Sequence, residues 1–242
     1  MQAQNPTLEQ LCCHSSVRQF TDQAVDETLC RAILNAATMA SSSCFMQATS
    51  IIRITDAGKK KTIADLCGQG FIAQAAQFWI FCGDFHRAKV LCPQADLGWN
   101  DLFLVACLDT GIMVQNAMVA LESLGLGGVF VGGIRDRIEA ISDLIGLPQH
   151  TVPLLGLAFG YPAARNECKP RLPHSITVME NEYREPSKQT IAEYDAQMQA
   201  YYSQRAQNKE FGNWTEKLSK VLTREQRTFM KAYLARQGLD LY

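Results

Sequence analysis

Residues Leu102 to Leu121 form a run of 20 that is almost entirely apolar, and any fold the chain adopts must give that run somewhere to hide. The length suits a bilayer span, which takes about 20 residues. Three members argue otherwise: Asp109, Gln115 and Asn116 lie inside the run, and Glu122 follows it. An aspartate at mid-membrane costs about 2.5–3.5 kcal/mol on insertion scales. The run therefore reads as a buried helix in a soluble core or a dimer interface, spanning Asp101 to Leu124 and stopped by Gly125. A chain of 242 residues is long enough to enclose it.

The surrounding pattern mixes helices with few strands. Leu8 to Cys13 predicts a short helix, and Asp26 caps a second that runs to about Thr38. Ser50 to Thr55 is β-branched and predicts a strand; Asp56 then opens a lysine-rich helix. Gln77–Cys82, Val129–Val131 and Val152–Phe159 predict further strands, and Arg135–Ile145 a helix. After Pro162 the prolines give extended chain, Ser175–Glu180 predicts one more strand, and the stretch from Gln189 is polar and helical. There is no regular βαβ alternation and no internal repeat. The expectation is one α+β domain over 1–242, with 162–242 as a C-terminal arm and helical extension.

Composition excludes some functions. The formal net charge is −1 with no basic stripe, which argues against nucleic acid as a partner. Nine cysteines include no C-x-x-C pair, and four histidines lack metal-ligand spacing, so no metal site is expected. An odd cysteine count, several in apolar runs, and a start without a signal-peptide pattern point to free thiols in a reducing compartment, the cytoplasm.

The chemistry-bearing residues are anion-binding groups, with no G-x-x-x-x-G-K-S/T loop and no G-x-S-x-G elbow beside them. His14-Ser15-Ser16-Val17-Arg18 joins an imidazole, hydroxyls and a guanidinium, which suits a phosphate and also suits a polar helix end. Lys169-Pro170-Arg171 puts two cations on one side of an extended segment, as a ligand site or as a surface loop. Gly125 to Gly133 has five glycines in nine positions, which permits close approach to a flat ligand and equally serves tight turns. It is not a dinucleotide loop, because Phe130 takes the last required glycine and a helix precedes it.

Taken in order, His14-Ser-Ser-Val-Arg-Gln-Phe-Thr, Ser41-Ser-Ser-Cys-Phe-Met-Gln47, Gln115-Asn-Ala, Glu122-Ser-Leu-Gly-Leu-Gly-Gly-Val-Phe-Val-Gly-Gly-Ile-Arg135 and Lys169-Pro-Arg-Leu-Pro173 resemble the oxygen-insensitive NADPH nitroreductases and the related NADPH:FMN oxidoreductases. The resemblance runs from about residue 8 to the C-terminus. It implies a nitroreductase-like flavoprotein fold of the α+β class, with a central, mostly antiparallel sheet flanked by helices. It also implies a homodimer with FMN at the interface and the C-terminal arm exchanged. His14, Ser16, Arg18, Lys169 and Arg171 would hold the FMN phosphate. Ser42, Ser43 and Gln47 would contact FMN, partly from the other subunit. Gln69 would reach the isoalloxazine or ribityl region, and Val131, Gly132 and Gly133 would line the ring edge. Arg205 and Lys209 would meet NADPH.

Four positions depart from the family pattern: Ser15 stands where an arginine is usual, Phe130 for a tyrosine, Cys44 for a serine, and Glu210 where a second arginine is often found. The implied activity is two-electron, ping-pong reduction of nitroaromatics and quinones by NADPH. The flavin carries the chemistry, so no side chain is nominated as catalytic. The alternatives are an NADPH-dependent flavin reductase that supplies free reduced FMN, and a flavin-binding protein without turnover. No membrane partner is expected.

Overall fold

The computed structural model describes residues 5–165, 167–204 and 212–239. It divides into two compact units, Met1–Arg165 with Arg227–Tyr242, and Asn166–Gln226. The first unit holds strands β1 (Thr49–Arg53), β2 (Gln77–Asp84), β3 (Gly127–Val131) and β4 (Thr151–Gly160). Its helices are α1 (Pro6–Cys12), α2 (Glu27–Thr38), α3 (Ala57–Cys67), α4 (Phe71–Gln74), α5 (His86–Leu91), α6 (Asn100–Ser123), α7 (Ile138–Ile145) and α11 (Met230–Arg236). The second unit holds α8 (His174–Thr177), α9 (Lys188–Gln204) and α10 (Trp214–Leu222).

The strands make one sheet in the order β1-β2-β4-β3, with every neighbouring pair antiparallel. Side-chain alternation along β2 explains why helices cover both faces. Phe78, Ile80 and Cys82 point one way, into a core with Ile63 of α3, Ile72 of α4 and Ile141 of α7. Trp79 and Phe81 point the other way, onto Ile33 of α2 and Val114, Met118 and Leu121 of α6. All five β2 side chains are fully buried. Truncating one of the aromatics to alanine would cost about 3–5 kcal/mol. Burial also pushes the Cys82 thiol up to about 12, so it serves as a small apolar filler.

The caps read from the sequence are in place. The Asp26 carboxylate accepts from the Thr28 amide at 2.7 Å, and Asp56 accepts from Lys59 at 2.7 Å. The apolar run is α6. It ends where the Leu126 amide donates back to Leu121 and Gly125 takes a φ of 80°, a left-handed turn that suits glycine. The helix is long and apolar enough to cross a membrane. Here Val114, Ala117, Met118 and Leu121 pack on the sheet and α2, while Leu104, Leu108 and Ile112 form an exposed stripe at four-residue spacing.

Two readings need correction. Ser175–Glu180 is not a strand: His174–Thr177 is a helical turn closed by Val178 donating to the His174 carbonyl. Its β-branched residues have no strand in the second unit to pair with, since the four strands among the described residues all lie in the first. The predicted helix Arg135–Ile145 begins only at Ile138; residues Gly132–Arg135 form a separate 3-10 turn.

Candidate functional site

The segment from His14 to Arg18 is fixed by its central residue. The Val17 amide donates to the Gly128 carbonyl at 2.9 Å, and the Val17 side chain is fully buried. A Cβ on Gly127 would lie 2.6 Å from Val17 Cγ2, so glycine there is what lets the segment lie against β3. With Val17 turned inward, alternation turns Ser16 and Arg18 the other way. Arg18 is exposed and Ser16 half-buried. His14 is oriented by a residue to which sequence reasoning gave no role. Its Nδ1 lies 2.7 Å from Oε1 of Glu122, a buried carboxylate near the end of α6. The imidazolium form donates there through Nδ1 and keeps Nε2–H for an anion.

The serine run occupies the passage from α2 to β1. Ser42 Oγ donates to Asp109 Oδ2 at 2.8 Å, the Ser43 amide to Asp109 Oδ1 at 3.0 Å, and the Gln47 amide to Ser42 Oγ at 2.6 Å. Asp109 is buried on α6. Thus the residue that first argued against a membrane span is the anchor of a predicted ligand loop. Cys44, Phe45 and Gln47 have φ of 48°, 55° and 50°. Such left-handed backbone costs a non-glycine residue about 1–3 kcal/mol, and it persists only where the surroundings enforce it.

The third place is the turn after β3. Gln69 follows the left-handed cap Gly68 of α3. Its Nε2 would stand 3.1 Å from a Cβ on Gly133, so Gln69 and Gly133 are neighbours, as the predicted ring site requires. Gly132 is flanked by two arginines that sequence reasoning did not assign. A Cβ there would meet the Arg135 guanidinium at 3.2 Å, and Arg227 approaches the Gly132 carbonyl at 3.5 Å while bonding Asp136 at 2.9 Å. Arg135 also donates to the Leu154 carbonyl. Burial, and then the charge of Arg227, lower its pKa from the ordinary arginine value. Arg135 lines a cavity of about 370 Å³ with Phe103, Cys107, Leu154 and Met230. Val131 is fully buried, with its side chain in the core and its backbone paired with Gly156 of β4.

In the second unit, Lys169-Pro170-Arg171 lies along α9. The Tyr194 hydroxyl donates to the Pro170 carbonyl at 3.1 Å, Arg171 donates to the Lys169 carbonyl at 2.8 Å, and Lys169 Nζ stands 5.3 Å from the Tyr202 ring centroid. Burial opposes ionisation of Tyr202, but the ammonium groups of Lys217 and Lys169 outweigh it and lower the phenol's pKa. Arg205 and Lys209 lie outside the described residues.

A model described as "Nitroreductase family" matches residues 14–161, and one described as "Nitroreductase family, C-terminal domain" matches residues 169–242. The chain belongs to the nitroreductase family. Its sequence is 45% identical to the oxygen-insensitive NADPH nitroreductase of Salmonella typhimurium, over 97% of this chain and 98% of that protein. It is 37% identical to the NADPH-flavin oxidoreductase of Vibrio harveyi, over 97% and 98%. The solved structure of nitroreductase A from Vibrio parahaemolyticus superposes with a TM-score of 0.93 at 38% identity, covering 98% of this chain and 99% of that one. The three clusters of the first unit all involve residues of the first family segment, and Lys169 opens the second.

Proposed function

We propose that this protein is an FMN-dependent oxidoreductase that uses NADPH to reduce nitroaromatics and quinones. The observation that carries the reading is the combination of a fixed imidazole, hydroxyl and guanidinium segment with a glycine turn set among donors. A Cβ at Gly132 or Gly133 would crowd Arg135 or Gln69 to 3.2 and 3.1 Å, so glycine there lets both donors stand close against the turn. That donor set fits FMN, which when bound supplies hydride acceptance and two-electron transfer.

His14, Ser16 and Arg18 serve its phosphate, Gln69 its isoalloxazine or ribityl region, and Val131, Gly132 and Gly133 its ring edge. Arg135 and Arg227 hold positive charge beside Gly132, which favours an electron-rich ring there. In the second unit, Lys169 and Arg171 are the cations claimed for an anionic ligand. Arg205 and Lys209 are claimed for the NADPH 2′-phosphate.

Donor and acceptor use one ring face in turn. Steady-state rates at varied NADPH and nitrofurazone are expected to give parallel double-reciprocal lines; intersecting lines would contradict a shared face. The similarity to the Vibrio harveyi NADPH-flavin oxidoreductase supports a second reading, a reductase that releases reduced FMN. That reading requires kcat/KM for free FMN to exceed that for nitrofurazone.

The working form is a homodimer. Glu122, which holds His14, and Asp109, which holds Ser42, are 13 residues apart on α6, about 20 Å along its axis. The separation sets Ser42, Ser43 and Gln47 far from the His14 segment, and they are assigned to the flavin of a second copy. The stripe of Leu104, Leu108 and Ile112, exposed by 57%, 65% and 44% in the single chain, supplies an apolar face for that copy to cover. The arm that follows Pro162 is the segment exchanged between copies. Sedimentation is expected to give a dimer, and a fully active monomer would contradict it. Nine free thiols suit a reducing cytoplasm.

A further inference from the structure

Three of the six non-glycine residues with positive φ among those described fall within four positions, Cys44 to Gln47. Groups from two other elements hold the ends of this passage. At its entry, Asp109 accepts the Ser42 hydroxyl and the Ser43 amide. At its exit, Arg87, at the start of α5, donates to the Gln47 carbonyl at 2.9 Å and the Thr49 carbonyl at 3.0 Å. Arg87 is itself braced by Asp84 at 3.0 Å and by the Ser50 hydroxyl at 2.6 Å. A chain of bonds closes the loop between the ends, from the Gln47 amide to Ser42 Oγ and from Ser42 Oγ to Asp109.

We propose that Asp109 and Arg87 are positioning residues that shape the Ser42–Gln47 loop so that the Ser42 hydroxyl meets the bound flavin as an acceptor only. The proposal rests on the flavin reading above. A hydroxyl has one hydrogen and two lone pairs. In Ser42 the hydrogen is committed to Asp109, and one lone pair receives the Gln47 amide. What remains can accept a bond but cannot donate one. Ser42 therefore suits a ribityl hydroxyl or a ring N–H, and does not suit a phosphate oxygen, which needs a donor. The carboxylate enforces this polarity. Both Asp109 oxygens accept, whereas an asparagine of the same shape would present a donor to one of its two donor partners.

The test compares Asp109→Asn, Asp109→Ala and Ser42→Ala with wild type as cofactor-free proteins, each titrated with FMN and with riboflavin. Amide hydrogen exchange is measured on the same samples. Asp109→Asn and Asp109→Ala are expected to weaken both flavins by the same factor, about tenfold, because the loop reads the part the two ligands share. Asparagine should not rescue the alanine variant, although it fills the same space. The Ser43 and Gln47 amides should exchange faster in Asp109→Asn while those of β2 and β4 keep wild-type rates. Ser42→Ala, in a half-buried residue, should reproduce the joint loss of both flavins. The proposal is overturned if Asp109→Asn binds like wild type, if the loss falls on FMN alone, or if the two amides keep their wild-type exchange. Wild type that binds neither flavin would overturn the functional reading, and the proposal with it.

Discussion

Arg18→Ala is expected to bind FMN about ten- to hundredfold more weakly than wild type, while the thermal midpoint of the cofactor-free protein hardly moves. The factor follows from losing one charge-assisted hydrogen bond, about 1.5–3 kcal/mol, with tenfold in affinity worth about 1.4 kcal/mol. Stability is spared because Arg18 is exposed, and the segment is held by Val17 through its bond to Gly128 and its packing under Gly127. The neighbouring Ser15 and Ser16 are uncharged, so Arg18 is the one guanidinium of the His14–Arg18 segment. Riboflavin, which lacks the phosphate, should bind Arg18→Ala as it binds wild type. Titration by flavin fluorescence checks both points. An unchanged FMN affinity would make Arg18 a solvated surface cation.

Arg205→Ala is expected to raise KM for NADPH by about ten- to hundredfold while leaving the NADH reaction and the FMN content almost unchanged. The 2′-phosphate is the difference between the two dinucleotides, and a guanidinium is well suited to it. In the sequence Arg205 follows the Tyr201-Tyr202 pair, and on the proposed reading Lys209 would add to its charge and Glu210 would offset it. Initial rates with the two donors settle the matter, since equal effects on both would remove Arg205 from the phosphate site.

The parts of this fold legible in the sequence are those set by local physics. Asp26 and Asp56 cap helices through amides two and three residues away, and the buried strand β2 is visible as the continuous apolar run Phe78-Trp79-Ile80-Phe81. The start of β3 was missed because Gly127 and Gly128 read as breakers. In the structure they are strand residues kept small by Val17 and by Met118 and Ala158. Short α5 carries no side-chain cap and left no signal.

The site divides the same way. The residue types at His14–Arg18 and in the glycine run are what suggested the proposed anion and ring sites. Their supports come from far along the chain: Glu122 lies 108 residues from His14, and Asp109 lies 67 from Ser42. Arg227 reaches Gly132 across 95 positions. Such pairings are set by the packing of α6 and α11, which no local pattern encodes. Only the polarity of Asp109 within an apolar run hinted that it had a partner.

The central claim is that the chain holds FMN and passes electrons from NADPH through it. The most direct test is to mix the purified protein with NADPH in the absence of oxygen, follow the yellow flavin absorbance, and then add nitrofurazone. The account predicts a yellow protein that bleaches within the mixing experiment, with colour restored as the nitro compound is consumed. A protein that binds FMN and stays yellow in excess NADPH would be a flavin carrier, and would contradict the account.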